Sequence, residues 1–199
     1  MTFRGFAAAV LFSLLAPLSA SAQSIDISAN VVSSKWSEFD SADNGFGGRI
    51  SFKPISLIGV EADVTWYPGE YEPDGVAFSR NRSEGLFGVT IGPKIDRIRP
   101  FAKVAAGFLR VGATPGAFAC ITIFPPPLNC SLASGDTLQA YEIGGGIEFD
   151  ASRRFFIRGD IADRVLKYPG PTFDSNFDIQ EDGFFGHAVR FTLGAGVRF

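Results

Sequence analysis

Few residues in this chain are able to do chemistry, and that narrows the choice early. It has one histidine, His187, and two cysteines, Cys120 and Cys130. That leaves almost nothing for a zinc centre, since a closed structural site takes four nitrogen and sulfur ligands. Cys120 and Cys130 bracket a segment containing Pro125-Pro126-Pro127. In an exported chain this spacing reads as a disulfide, worth about 2–3 kcal/mol through restriction of a flexible segment. Asp174-Ser175-Asn176-Phe177-Asp178 opens like a calcium loop, but Ile179 stands at the turn glycine and Phe185 at the bidentate glutamate. Glu181 and Asp182 add oxygens without restoring the pattern, so 174–182 reads as a solvated acidic loop. Gly144-Gly145-Gly146 does not lead into a helix, which a phosphate cradle requires.

The more informative set is larger. Arg49, Lys53, Glu61, Asp63, Glu84, Lys94, Lys103, Glu142, Glu148, Arg158, Asp160, Arg164, Arg190 and Arg198 recur at alternate positions between apolar residues. Eight are basic and six acidic, enough for most to pair with one another.

Such spacing needs strands to carry it. Period-two alternation is the strand signal, and it predicts eight strands at 25–37, 46–53, 58–67, 84–95, 100–111, 137–149, 155–166 and 186–199. The last is the clearest: Phe185, His187, Val189, Phe191, Leu193, Ala195, Val197 and Phe199 share one face, with small or charged residues on the other. The connections alternate in length, with longer loops at 38–45, 68–83, 112–136 and 167–185 and short turns at 54–57, 96–99 and 150–154. Long loops at one end and short turns at the other describe an up-and-down membrane barrel.

Composition fits an all-β chain. With 23 Gly, 12 Pro and 21 Phe in 199 residues, a helical bundle is disfavoured. A formal net charge of -3 offers nothing to nucleic acid. The N-terminus reads as an export signal: Arg4, an apolar run from Phe6 to Leu18, then Ala20-Ser21-Ala22 before Gln23. The expected organisation is a signal peptide over 1–22, cleaved after the Ala20–Ala22 site, and one antiparallel barrel over 23–199.

Two arrangements of the faces compete. A soluble barrel would bury the apolar face and solvate the charged one; a membrane barrel reverses them. Eight strands enclose a lumen just wide enough for side chains, and the Phe- and Ile-rich faces would crowd it. Gly47, Gly88, Gly92, Gly144, Gly146, Gly194 and Gly196 share the charged face, and glycines leave room for long charged side chains. A charged, side-chain-filled lumen is therefore expected. Lys35, Arg110 and Asp163 fall on the apolar face, near the long-loop ends of their strands. Trp66, Tyr67, Tyr141 and Tyr168 cluster at that end and read as an aromatic girdle.

The last strand, with Phe191, Leu193, Ala195 and Val197 alternating up to Phe199, and the strand Tyr141-Glu142-Ile143-Gly144-Gly145-Gly146-Ile147-Glu148-Phe149 together resemble the small eight-stranded outer-membrane β-barrel family of porin-like or opacity-like surface proteins. The resemblance implies location in the bacterial outer membrane, and a terminal strand that is the signal read by the assembly machinery. It implies outer-membrane lipids as partners, a monomer, no cofactor, and a non-enzymatic structural or surface-interaction role. A narrow pore for ions or small solutes is the alternative. Some barrels of this kind are lipid A deacylases with a His-x-Ser motif, but His187-Ala188-Val189 lacks that serine, so no catalytic residue is carried over.

Overall fold

The computed structural model describes residues 23–37, 42–71, 78–79, 81–113, 123–126, 128, 132, 135–173 and 176–199. Its strands are β1 (Ser24–Trp36), β2 (Ala42–Lys53), β3 (Ile58–Tyr67), β4 (Glu70–Tyr71), β5 (Phe78–Ser79), β6 (Arg82–Ile91), β7 (Ile98–Val111), β8 (Asp136–Asp150), β9 (Phe155–Tyr168), β10 (Thr172–Phe173), β11 (Ile179–Gln180) and β12 (Phe184–Arg198). Eight of them close an antiparallel ring in the order β1-β12-β9-β8-β7-β6-β3-β2. The pairs β4–β5 and β10–β11 are short ribbons within two of the loops.

Following hydrogen-bonded partners from Lys35 leads through Val189, Asp163, Ile143, Val104, Val89, Val60 and Phe52 and back to β1 at Ile25, ten residues below the start. Eight strands with this offset, about 3.3 Å per residue and about 4.8 Å apart, tilt by roughly 40°. Each residue then contributes about 2.5 Å of height. Outward runs of apolar and small residues reach from Ile25 to Ser33 on β1 and from Val197 to Val189 on β12, and end at Lys35 and His187. That is a band about 20 Å tall, close to the roughly 25 Å of a barrel's lipid-facing band.

The burial pattern is inverted relative to a soluble barrel. Outward apolar side chains such as Phe52 and Val64 are 43% and 64% exposed, while Arg49, Glu61, Lys103 and Arg164 are buried. Alternation thus places the apolar face outside.

The strand ends differ from the sequence expectation. β2 begins at Ala42, because Asp43, Asn44 and Gly45 continue the ladder opposite Ser34, Ser33 and Val32. The first loop-side connection, 37–41, is consequently no longer than the turn 92–97. β6 stops at Ile91, ahead of Pro93, which has no N–H for a ladder.

Candidate functional site

The interior is the most elaborate feature of the molecule. Nine basic side chains point inward among the described residues, and nine carboxylates face them. At the short-turn end, Lys53 Nζ lies 2.7 Å from both Asp26 and Glu148, and Arg198 donates to Asp26, Asp150 and Glu148. At mid-height Asp160 receives three cations: Lys103 at 2.7 Å, Arg49 at 3.1 Å and Arg158 at 3.2 Å. Arg158 continues to Glu61 at 2.7 Å, and Arg49 to Asp63 at 3.0 Å. Higher up, Arg190 bridges Asp63 and Glu142, while Arg164 donates to Glu84, Tyr67 and Ser34. Burying so many charges is tolerable only because nearly all find partners of opposite sign, while Arg99 donates to the Gly92 carbonyl at 3.1 Å.

Toward the long loops the filling changes character. Trp36, Leu109, Leu138, Leu166 and Tyr168 form an apolar cluster inside the ring, joined by Leu128 from the longest loop. The Arg82 and Arg164 guanidinium groups each lie 4.9 Å from the centre of the Trp36 ring, so charged layer and apolar cap meet there. The lumen is therefore charged over most of its height and capped by hydrocarbon at one mouth.

Two expectations need correction. Lys94 does not belong to the interior layer: β6 has already ended, and Lys94 sits half exposed in the following turn, 2.6 Å from Asp150 at the short-turn mouth. Tyr67 and Tyr168 do not join an outer aromatic girdle; both are buried inside. Their parity decides this, since Tyr67 follows Glu61, Asp63 and Thr65 on the inward face. Trp66 and Tyr141 do face outward. Asp26, Asp43, Arg82, Arg99 and Asp150 were not expected in the interior. Asp26 alternates with Ile25 and Ile27, a legible signal in a weak strand; the other four lie beyond the expected strand ends. Residues 1–22, including Ala20 and Ala22, and Cys120 and Cys130 lie outside the described residues.

The outer wall carries a polar cluster near its long-loop end. His187 Nδ1 is 2.9 Å from Asp163 Oδ2 on the neighbouring strand. Ser37 lies opposite His187, accepting from its main-chain N–H at 3.2 Å and donating to its carbonyl at 2.7 Å. A serine, a histidine and an aspartate thus meet, drawn from three separate strands or their ends. Through these two bonds the Ser37 hydroxyl extends the β1–β12 ladder by one step.

No family model matches the sequence, and no curated protein matches it. Solved structures do match the fold. The attachment invasion locus protein Ail of Yersinia pestis, in complex with the heparin analogue sucrose octasulfate, aligns with a TM-score of 0.53 and 16% identity over 89% of this chain and 99% of that one. Neisserial surface protein A aligns with a TM-score of 0.53 and 12% identity, covering 89% and 97%. The outer membrane protein OprG of Pseudomonas aeruginosa aligns with a TM-score of 0.50 and 10% identity, covering 89% and 96%. The chain has the fold of the small eight-stranded outer-membrane β-barrels.

Proposed function

We propose that the protein is a non-enzymatic barrel of the bacterial outer membrane, with a closed, charged lumen and a surface role carried by its long loops. The observation that carries this reading is the inverted burial: an outward apolar band about 20 Å tall around a salt-bridged interior. On this reading residues 1–22 direct export and are removed at Ala20–Ala22. The strand ending at Phe199 addresses the assembly machinery, and Cys120 and Cys130 form a disulfide at the cell surface. The folded barrel should migrate faster than its boiled form on a denaturing gel. Val104→Arg places a charge at mid-band on β7 and is expected to cost about 2–4 kcal/mol in lipid vesicles, measured by urea titration. A variant as stable as the parent would remove the membrane reading.

The apolar cap and the filled lumen favour a structural or interaction role over conduction. Purified protein in planar bilayers is expected to give no resolved conductance steps; steady single-channel events would return the narrow-pore alternative to first place.

Charge is sorted by region, which indicates the kind of surface partner. Connections 37–41, 68–81, 112–135 and 169–183 hold nine acidic residues and one basic, Arg80. The turns at the other end hold Lys94, Arg97, Arg153 and Arg154 against Asp96. An acidic crown suits a cationic partner and disfavours a sulfated sugar of the kind found with Ail. Low-salt retention on immobilised polylysine, and none on heparin, is the expected result; the reverse would reassign the surface.

A further inference from the structure

Gly159 has no steric reason to be glycine. It lies in the middle of β9 on the outward face, with ordinary extended backbone, and a Cβ built there meets nothing nearer than Leu193 Cδ1 at 4.0 Å. The inward glycines differ sharply: a Cβ at Gly47, Gly144 or Gly146 would fall 2.1–2.3 Å from a main-chain oxygen. Glycine within a strand weakens it, and where packing does not demand it, it often marks the close approach of a ligand or another backbone. Here Gly159 helps to floor a groove of about 780 Å³ on the outer wall, with Gly145 beside it and Val31, Ile161, Phe191 and Leu193 as its sides.

Above this groove stands an arc of outward-facing basic side chains. Lys35 on β1, His187 on β12 and Lys167 on β9 lie on three adjacent strands. The strand tilt brings them to nearly one height, at the upper edge of the apolar band. Lys35 is two residues above Ser33, which lines the groove; Lys167 is eight above Gly159, about 26 Å along β9. Asp163 is held by His187 Nδ1 at 2.9 Å. Lys35 and Lys167 then supply two separate cations, with Cα atoms roughly 16 Å apart from strand spacing and rise. Around the rest of the ring Asn44, Trp66 and Ser83 occupy this level without charge, and Arg110 on β7, paired with Ser83, supplies a single isolated cation.

We infer that this wall is a docking site for one molecule of phosphorylated glycolipid of the outward-facing leaflet, a lipid A. An acyl chain lies in the groove over Gly159, and two headgroup phosphates meet Lys35 and Lys167. The inference rests on the membrane orientation proposed above. It commits to lipid A over a glycerophospholipid, because two well-separated cations suit two phosphates and the arc stands at the long-loop end.

The test is native mass spectrometry of the folded protein in neutral detergent, with diphosphoryl lipid A, phosphatidylglycerol and phosphatidylethanolamine as probes. The parent should retain one lipid A at least about tenfold more tightly than either phospholipid. Lys35→Gln with Lys167→Gln should weaken lipid A roughly 30-fold, from about 1 kcal/mol per cation near a phosphate surface. Gly159→Leu fills the groove and should weaken it about tenfold or more, whereas Val89→Leu on the opposite wall should leave it unchanged. Undiminished lipid A retention by the lysine pair variant or by Gly159→Leu overturns the site, as does equal retention of phosphatidylglycerol by the parent. Heat-dependent gel mobility is read on every sample, so a folded barrel that holds no lipid A rejects the site and leaves the barrel reading standing.

Discussion

Asp160→Ala is expected to lower the unfolding free energy by about 3–5 kcal/mol, the scale for removing one partner from a buried charge cluster. Asp160 is where Lys103, Arg49 and Arg158 converge from β7, β2 and β9. Without it, the mid-level keeps three cations against Glu61, Asp63 and Glu142, and Lys103 retains Glu142 alone among its ion-pair partners. The loss therefore combines missing attraction with cations that now repel at close range. Asp160→Asn, which keeps the shape and one of the two acceptor oxygens but no charge, should recover part of it. Urea titration followed by the folded-to-unfolded gel shift reads both variants. A cost below about 1 kcal/mol would mean that water reaches the mid-level and screens it, and the lumen would then not be closed.

Gly146→Ala should prevent the ring from closing. A single methyl group there would sit 2.2 Å from the Gly159 main-chain oxygen and 2.6 Å from Asp160 Cβ, both on the paired strand β9. Relief requires β8 and β9 to part, which sacrifices ladder hydrogen bonds as well as packing. Overpacking costs typically about 1–3 kcal/mol where side chains can move, and here the obstacle is backbone, so the cost should exceed that range. The expected result is loss of the folded gel form. Gly159→Ala, across the same strand pair and facing out, should fold as the parent does. If both alanines fold equally well, the inward glycines are not a packing requirement.

Much of the fold was legible because parity is a strong constraint: a barrel strand that alternates has only two ways to face, and the phenylalanine count makes one of them too bulky for the lumen. Strand ends were harder. Asp43-Asn44-Gly45 has the composition of a turn, yet the ladder continues through it, since pairing with β1 outweighs local preference. The apolar cap was present in the parity, with Leu109, Leu138 and Leu166 on the same face as the charges, but apolar residues on a polar face read as noise until the ring shows them converging. Tyr67 and Tyr168 were placed outside by height alone, where parity placed them inside. Pairings across the lumen were not readable at all. Which carboxylate meets Arg158 depends on the ten-residue offset of the ring, a quantity no single strand encodes.

Those cross-lumen pairs have a kinetic meaning. Arg158 meets Glu61 across 97 residues of sequence, Lys53 meets Glu148 across 95, and Arg190 meets Asp63 across 127. A newly formed hairpin holds at most one member of most such pairs, so its charges face inward with no counterpart. Contacts this distant in the chain are made slowly and late. The interior thus acts as a quorum: until β1 and β12 meet, the partial sheet bears the cost of its charges without their compensation, and it is the last seam, not any early hairpin, that commits the chain to its final state.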